Sequence, residues 1–131
     1  MGYGYTVTVP EPFAPAVVRR VREALGEQGF GVLTEIDVRA TLHDKLGVEM
    51  SDYLILGACN PSLAHRAIDA EPDIGLLLPC NVLVRAEGPD TTVVQALDPQ
   101  VMVTVTGRTE LAAVADEAAG RLRAALDAVK V

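Results

Sequence analysis

The stretch LILGACNPSLAHRAI, residues 54–68, holds the turning point of this chain, a strand that runs straight into a helix. Residues 53–59 are apolar, rich in Leu and Ile and free of helix signals, which suits a buried strand. Asn60 then offers a side-chain oxygen to cap a helix, and Pro61 suits the first helical position, where its missing N–H costs nothing. Leu63, Ala67 and Ile68 give that helix a narrow apolar face, and EPDIG (residues 71–75) ends it.

Working outward, YGYTVTV (residues 3–9) alternates and is rich in β-branched and aromatic residues, so it reads as a first strand ended by Pro10 and Pro12. Phe13, Val17, Val21 and Leu25 recur at helical spacing, with Pro15 tolerable only in the first turn. Gly29 supplies the left-handed stop. Residues 30–38 read as a second strand, and 39–47 as a short helix closed by Gly47. LLLPCNVLVRA (residues 76–86) reads as a fourth strand, turned by EGPD into a fifth at 91–97. VMVTVT (residues 101–106) fits either a short helix or another strand. The Ala-rich segment 110–129 is a helix of about five to six turns, with a stripe from Leu111 through Leu122 to Val129.

This order defines one α+β domain over residues 1–131, a two-layer sandwich with a mostly antiparallel sheet and two long helices on one face. Leu76, Leu77 and Leu78, with Val82, Leu83 and Val84, put apolar side chains on both faces of the fourth strand. Two helices cannot cover both sides of a sheet. The expected cover for the second is another copy of the chain, a homodimer.

Composition narrows the function. Half the residues are apolar, tryptophan is absent, and 11 basic residues face 18 acidic ones for a net charge of −7. That balance opposes nucleic-acid binding, which depends on Lys and Arg to neutralise phosphates. The one basic cluster, Arg19, Arg20 and Arg22, reads as the solvated face of a helix. No apolar run reaches the roughly 20 residues of a membrane span, and no secretory leader is visible, so a cytoplasmic protein with reduced thiols is expected. The short myristoylation-like start MGYGYT also reads directly as strand. GYGYT lacks the spacing and lysine of a phosphate-binding loop.

GFGVLTEIDVRATLHDKLGVEMSDYLILGACNP, LLLPCNVLVRAEG and VVQALDP together resemble the domain-of-unknown-function family 302, nearly end to end. The most specific pieces are residues 56–61, LGACNP, and 78–82, LPCNV. The resemblance implies a β-α-β(4)-α layout akin to TATA-binding-protein-like folds, and it brings no established activity. The proline-rich entry at residues 10–15 and the VMVTVTG segment depart from the family pattern.

The chemistry centres on Cys59-Asn60 and Cys80-Asn81. If the third and fourth strands are antiparallel neighbours, both pairs lie at one end of the sheet. Pro79 cannot donate to a ladder, so it marks an edge, a bulge or the start of pairing. Four readings stand. Both cysteines can be buried apolar filler, with the asparagines satisfying backbone. They can form a redox pair, although C-x-x-C spacing is missing. They can bind a soft metal, with His43 or His65 as further ligands, although no ligand spacing is recognisable.

The fourth reading is a small-ligand pocket. Its floor is the Cys-Asn strand ends, its wall is the short helix with Asp37, Arg39, His43 and Lys45, and anions are drawn by the helix that starts at Pro61. The expected ligand-binding set is Cys59, Asn60, Cys80, Asn81 and Asp37, in a non-catalytic dimeric domain that binds a small ligand or a partner. The rival is a thiol- or metal-dependent enzyme using Cys59 and Cys80, with a histidine as base. No cofactor is called for. Glu35 and Asp37 share a strand face and read chiefly as solvated carboxylates.

Overall fold

A computed structural model of the chain describes residues 2–130. Five strands form one sheet in the order β1-β5-β4-β3-β2, and every neighbouring pair is antiparallel. The strands are β1 (Gly4–Val9), β2 (Gly31–Asp37), β3 (Tyr53–Cys59), β4 (Cys80–Ala86) and β5 (Thr92–Leu97). Between them run α1 (Pro15–Glu27), α2 (Val38–Leu46) and α3 (Pro61–Ala70), and after them α4 (Gln100–Thr106) and α5 (Ala112–Val129). β2 to β5 form a meander that returns to pair with β1, so the chain's first strand ends up at the far edge from its second.

The expected two-layer α+β architecture is the one found, and α1 and α5 are its two long helices. Val17, Val21 and Leu25 bury the α1 stripe, and Leu122, Ala125, Leu126 and Val129 bury the second half of α5. Val21, Leu25 and the four α5 residues pack on the sheet face made by Val7, Val9, Leu54, Leu56, Val82, Val84 and Val94. A smaller second core lies beside it, where Leu63 and Ala67 of α3 meet Ile74, Met102, Leu111, Val114 and Ala118. α5 belongs to both, its first half to the small core and its second half to the large one.

The fourth strand is shorter than its apolar run. Pairing starts at Cys80, opposite Ala58, and residues 72–77 form a 3₁₀ turn. The proline explains the boundary: Pro79, joined to Leu78 by a cis peptide, has no N–H to give a ladder. Leu76 is therefore not on the sheet and is 88% exposed. With the three leucines removed, β4 alternates. Cys80, Val82 and Val84 are buried under the helices, while Asn81 is exposed and Leu83 and Arg85 are half-covered. The outer face of β4 thus presents Leu83 as its one apolar side chain, between Asn81 and Arg85.

VMVTVT resolves as helix. Asp98 Oδ1 accepts the Gln100 N–H at 3.0 Å, and Gly107 closes the helix at φ 69°. Burial of Met102 in the small core outweighs the strand preference of the β-branched residues. The last helix starts at Ala112, two residues later than its stripe suggests, after a 3₁₀ turn at Thr109–Leu111.

Candidate functional site

Three chain segments meet where β3 ends and β4 begins. Asn60 caps α3 as its sequence indicates, accepting the Leu63 N–H at 3.2 Å, and its Nδ2 reaches Gln28 O at 3.5 Å. Arg121 of α5 donates to the same Gln28 carbonyl at 3.3 Å. The end of α1, the start of α3 and the middle of α5 are thus pinned at one oxygen. Gly29, at φ 86°, is required here twice over. Its backbone is left-handed, and a Cβ would stand 2.9 Å from Asn60 Nδ2.

Under this junction lies a cavity of about 340 Å³, in the seam between the two cores. Phe30, Ala58 and Cys80 line it from the large core, and Leu63 and Ala118 from the small one. Cys59, Asn60 and Pro79 form the end of the sheet. Leu33 and Ile68 stand at the rim, 67% and 45% exposed. Leu33 is there because β2 carries a bulge, with Val32 opposite Ala58 and Thr34 opposite Gly57, so the residue between them has no partner.

The structure brings Cys59, Asn60 and Cys80 together around this cavity and leaves two of the expected residues outside it. Asn81 points to the other side of the sheet, since Cys80 precedes it on the pleat. Asp37 lies at the opposite end of β3, paired with Leu54, about 17 Å from Cys59 along the strand. Its Oδ1 caps α2 by accepting the Ala40 N–H at 2.9 Å. The expected wall of α2 is therefore not at this site, because the antiparallel β2–β3 pair carries that helix to the far end. α3 supplies the wall instead.

The histidines are also elsewhere. His43 is exposed on α2 beside Glu49 at 3.3 Å, and His65 is exposed on α3 beside Asp69 at 3.6 Å. Neither lines the cavity. Among the described residues, no three His, Cys, Asp or Glu side chains are grouped to hold a metal ion. At the start of α3 the Ser62 N–H is the one first-turn donor without a protein partner among the described residues. Pro61 has no N–H, the Leu63 N–H goes to Asn60 Oδ1, and the Ala64 N–H goes to Asn60 O at 2.9 Å.

The thiols are neighbours in register. Ala58 pairs with Cys80, and Cys59 is the next residue along. Both are free, Cys59 half-buried and Cys80 buried. Burial, and secondarily the nearby Cys59, push the Cys80 thiol up from 9.0 to about 11. A thiolate there would have little water to solvate it, so Cys80 stays protonated at neutral pH. What the site offers is a soft, uncharged lining whose one amide is already committed to backbone. Sequence periodicity could suggest Leu63 as inward-facing. It carried no sign of Leu33, which only the bulge places at the rim.

Fold and site together define a two-layer α+β domain with an antiparallel sheet and an apolar cavity at one sheet end. The chain belongs to the family described as "Domain of unknown function DUF302", which it matches over residues 5–129. It is similar to the protein in the crystal structure of an uncharacterized conserved DUF302 protein from Bacillus stearothermophilus, with 31% identity and a TM-score of 0.89 over 98% of each chain. No curated protein matches it. Among the described residues, no helix is long and apolar enough to cross a membrane.

Proposed function

We propose that this domain is a non-catalytic binding module that takes a small, uncharged, apolar ligand in the cavity at the ends of β3 and β4. The observation that carries the reading is the lining. An open-mouthed cavity of about 340 Å³ is lined by aliphatic, aromatic and thiol groups, with Asn60 as its one side-chain amide among the described residues, donor and acceptor both engaged. That volume falls in the range of about 300–1,000 Å³ common to ligand pockets. Exposed Leu33 and Ile68 at the mouth give an entering hydrocarbon surface a place to desolvate first.

A neutral naphthylamine fluorophore tests this. Its emission should rise on binding the protein and fall back when Ala64→Trp fills the cavity, while the variant's melting curve shows that it still folds. No rise with the unaltered protein, or a rise that survives Ala64→Trp, removes the reading.

The rival, a thiol- or metal-dependent enzyme, has the register of Cys59 and Cys80 in its favour and the high pKa of Cys80 against it. Two free thiols fit a reducing, cytoplasmic setting. Self-association is part of the proposal. The sheet face away from α1 and α5 carries Ile36, Tyr53, Ile55, Leu83 and Leu97, and a second copy packed face to face would cover them. Sedimentation at micromolar concentration should give twice 13.9 kDa, and the monomer mass would overturn it.

A further inference from the structure

A second cavity, of about 410 Å³, opens at the other end of β3, between the first turns of α1 and the ends of β2 and β3. Its character is the reverse of the first. The floor is apolar, with Phe13, Val18 and Leu54, but the walls carry charge of both signs. Arg19 and Arg22 come from α1, three apart and so on one face of the helix. Glu35, Asp37 and Asp52 come from the strand ends.

The charges are not all consumed. Arg22 pairs with Glu35, which neutralises both. Arg39 likewise offsets the charge of Asp52 through Oδ1 at 3.1 Å, whereas Asp37 is held only by the Ala40 N–H at Oδ1. In each of these two aspartates the second oxygen has no hydrogen-bond partner among the described residues. Arg19 makes no ion pair among the described residues. One guanidinium on the helix side and, on the strand side, the carboxylate of Asp37 together with the second oxygen of Asp52 therefore line a cavity with a common apolar floor.

We propose that this cavity binds a free α-amino acid with an apolar side chain. Arg19 takes the carboxylate, Asp37 and Asp52 take the ammonium group, and the side chain lies on Phe13, Val18 and Leu54. A simple anion would meet the aspartates, and a simple cation would meet the arginines. A zwitterion with a hydrocarbon arm satisfies all three surfaces without burying an unpaired charge. The site is independent of the apolar cavity, since the two share no lining residue.

Isothermal titration with L-leucine, L-methionine and L-phenylalanine tests it, with 3-methylbutylamine and 4-methylpentanoate as leucine analogues that each lack one charge. The amino acids should give saturable heat, and each analogue should bind about tenfold more weakly or worse, as expected for loss of a charge-assisted contact. Arg19→Gln should weaken leucine binding by at least about tenfold, and so should Asp37→Asn, which keeps the α2 cap because asparagine caps as well as aspartate. Ala64→Trp, in the other cavity, should leave leucine binding unchanged. The proposal is overturned if none of the three amino acids gives saturable heat at millimolar concentration. It is equally overturned if an analogue binds as tightly as leucine, or if Arg19→Gln and Asp37→Asn bind leucine like the unaltered protein.

Discussion

Raising the pH should attack this fold at Cys80. The thiol titrates near 11 in the folded chain against an ordinary 9.0, because it is buried and has Cys59 beside it. Below about pH 9 it is protonated in both folded and unfolded chains, and the burial contributes in full. Between about pH 9 and 11 the unfolded chain gives up the proton and the folded one keeps it, so stability falls as pH rises. Two pKa units cap the loss at about 2.7 kcal/mol. The same shift leaves about one-hundredth of the ordinary thiolate at pH 8, so alkylation should slow about a hundredfold before burial adds its own barrier. The assay is an iodoacetamide time course on the Cys59→Ser variant, read by peptide mass spectrometry, beside urea unfolding of Cys80→Ala and the parent across pH 8 to 11. Alkylation at the rate of a free cysteine, or parallel stability profiles for the two proteins, would refute the account of Cys80 as a desolvated thiol.

Other parts of the structure give further expectations. Gly29→Ala should lose at least about 1–2 kcal/mol for a left-handed non-glycine residue, and more from the contact with Asn60. Adding Asn60→Ala should recover part of the second loss, which a double-mutant cycle in urea would measure. Asn60→Ala alone should cost about 1 kcal/mol as a lost cap. Arg108 donates to Glu71 at 2.7 Å and to Ala70 O at 2.9 Å. Arg108→Ala should therefore destabilise the chain by about 1–3 kcal/mol, since it leaves the largely buried Glu71 carboxylate with only the Asp73 N–H; an unchanged melting temperature would count against that role. Leu111→Ala, in the small core, should cost about 2–5 kcal/mol by calorimetry.

The sequence carried the helices well where one residue type does one job. Asn60-Pro61 started α3, and the stripes of α1 and α5 named the residues that cover the sheet. It failed where a residue's effect depends on what lies across from it. Three leucines before Pro79 look like strand until the proline's missing N–H is set against a real ladder, which begins one residue later. VMVTVT fits helix or strand by composition, and only the core that Met102 enters decides for helix. The cavity shows the same division. Cys59, Asn60 and Cys80 converge because antiparallel pairing of neighbouring strands could be anticipated. Asp37 lies away from them because β2 runs antiparallel to β3 and carries it to the opposite end of the sheet. Leu33 had no local signal at all.

α5 is shared by two cores of unequal size, and this makes the domain mechanically uneven. The smaller one, built on α3 and α4, buries far fewer side chains than the sheet layer. Segments of that kind open locally at lower free energy than the whole molecule unfolds. Their lifting would uncover the cavity and, with it, Cys80. Slow alkylation of Cys80 would then report how often α3, which walls the cavity, opens away from α5 while the sheet stays folded. A molecule seated in the seam would touch both cores at once and hold α3 in place, so occupancy would read out as silence at a single sulfur atom.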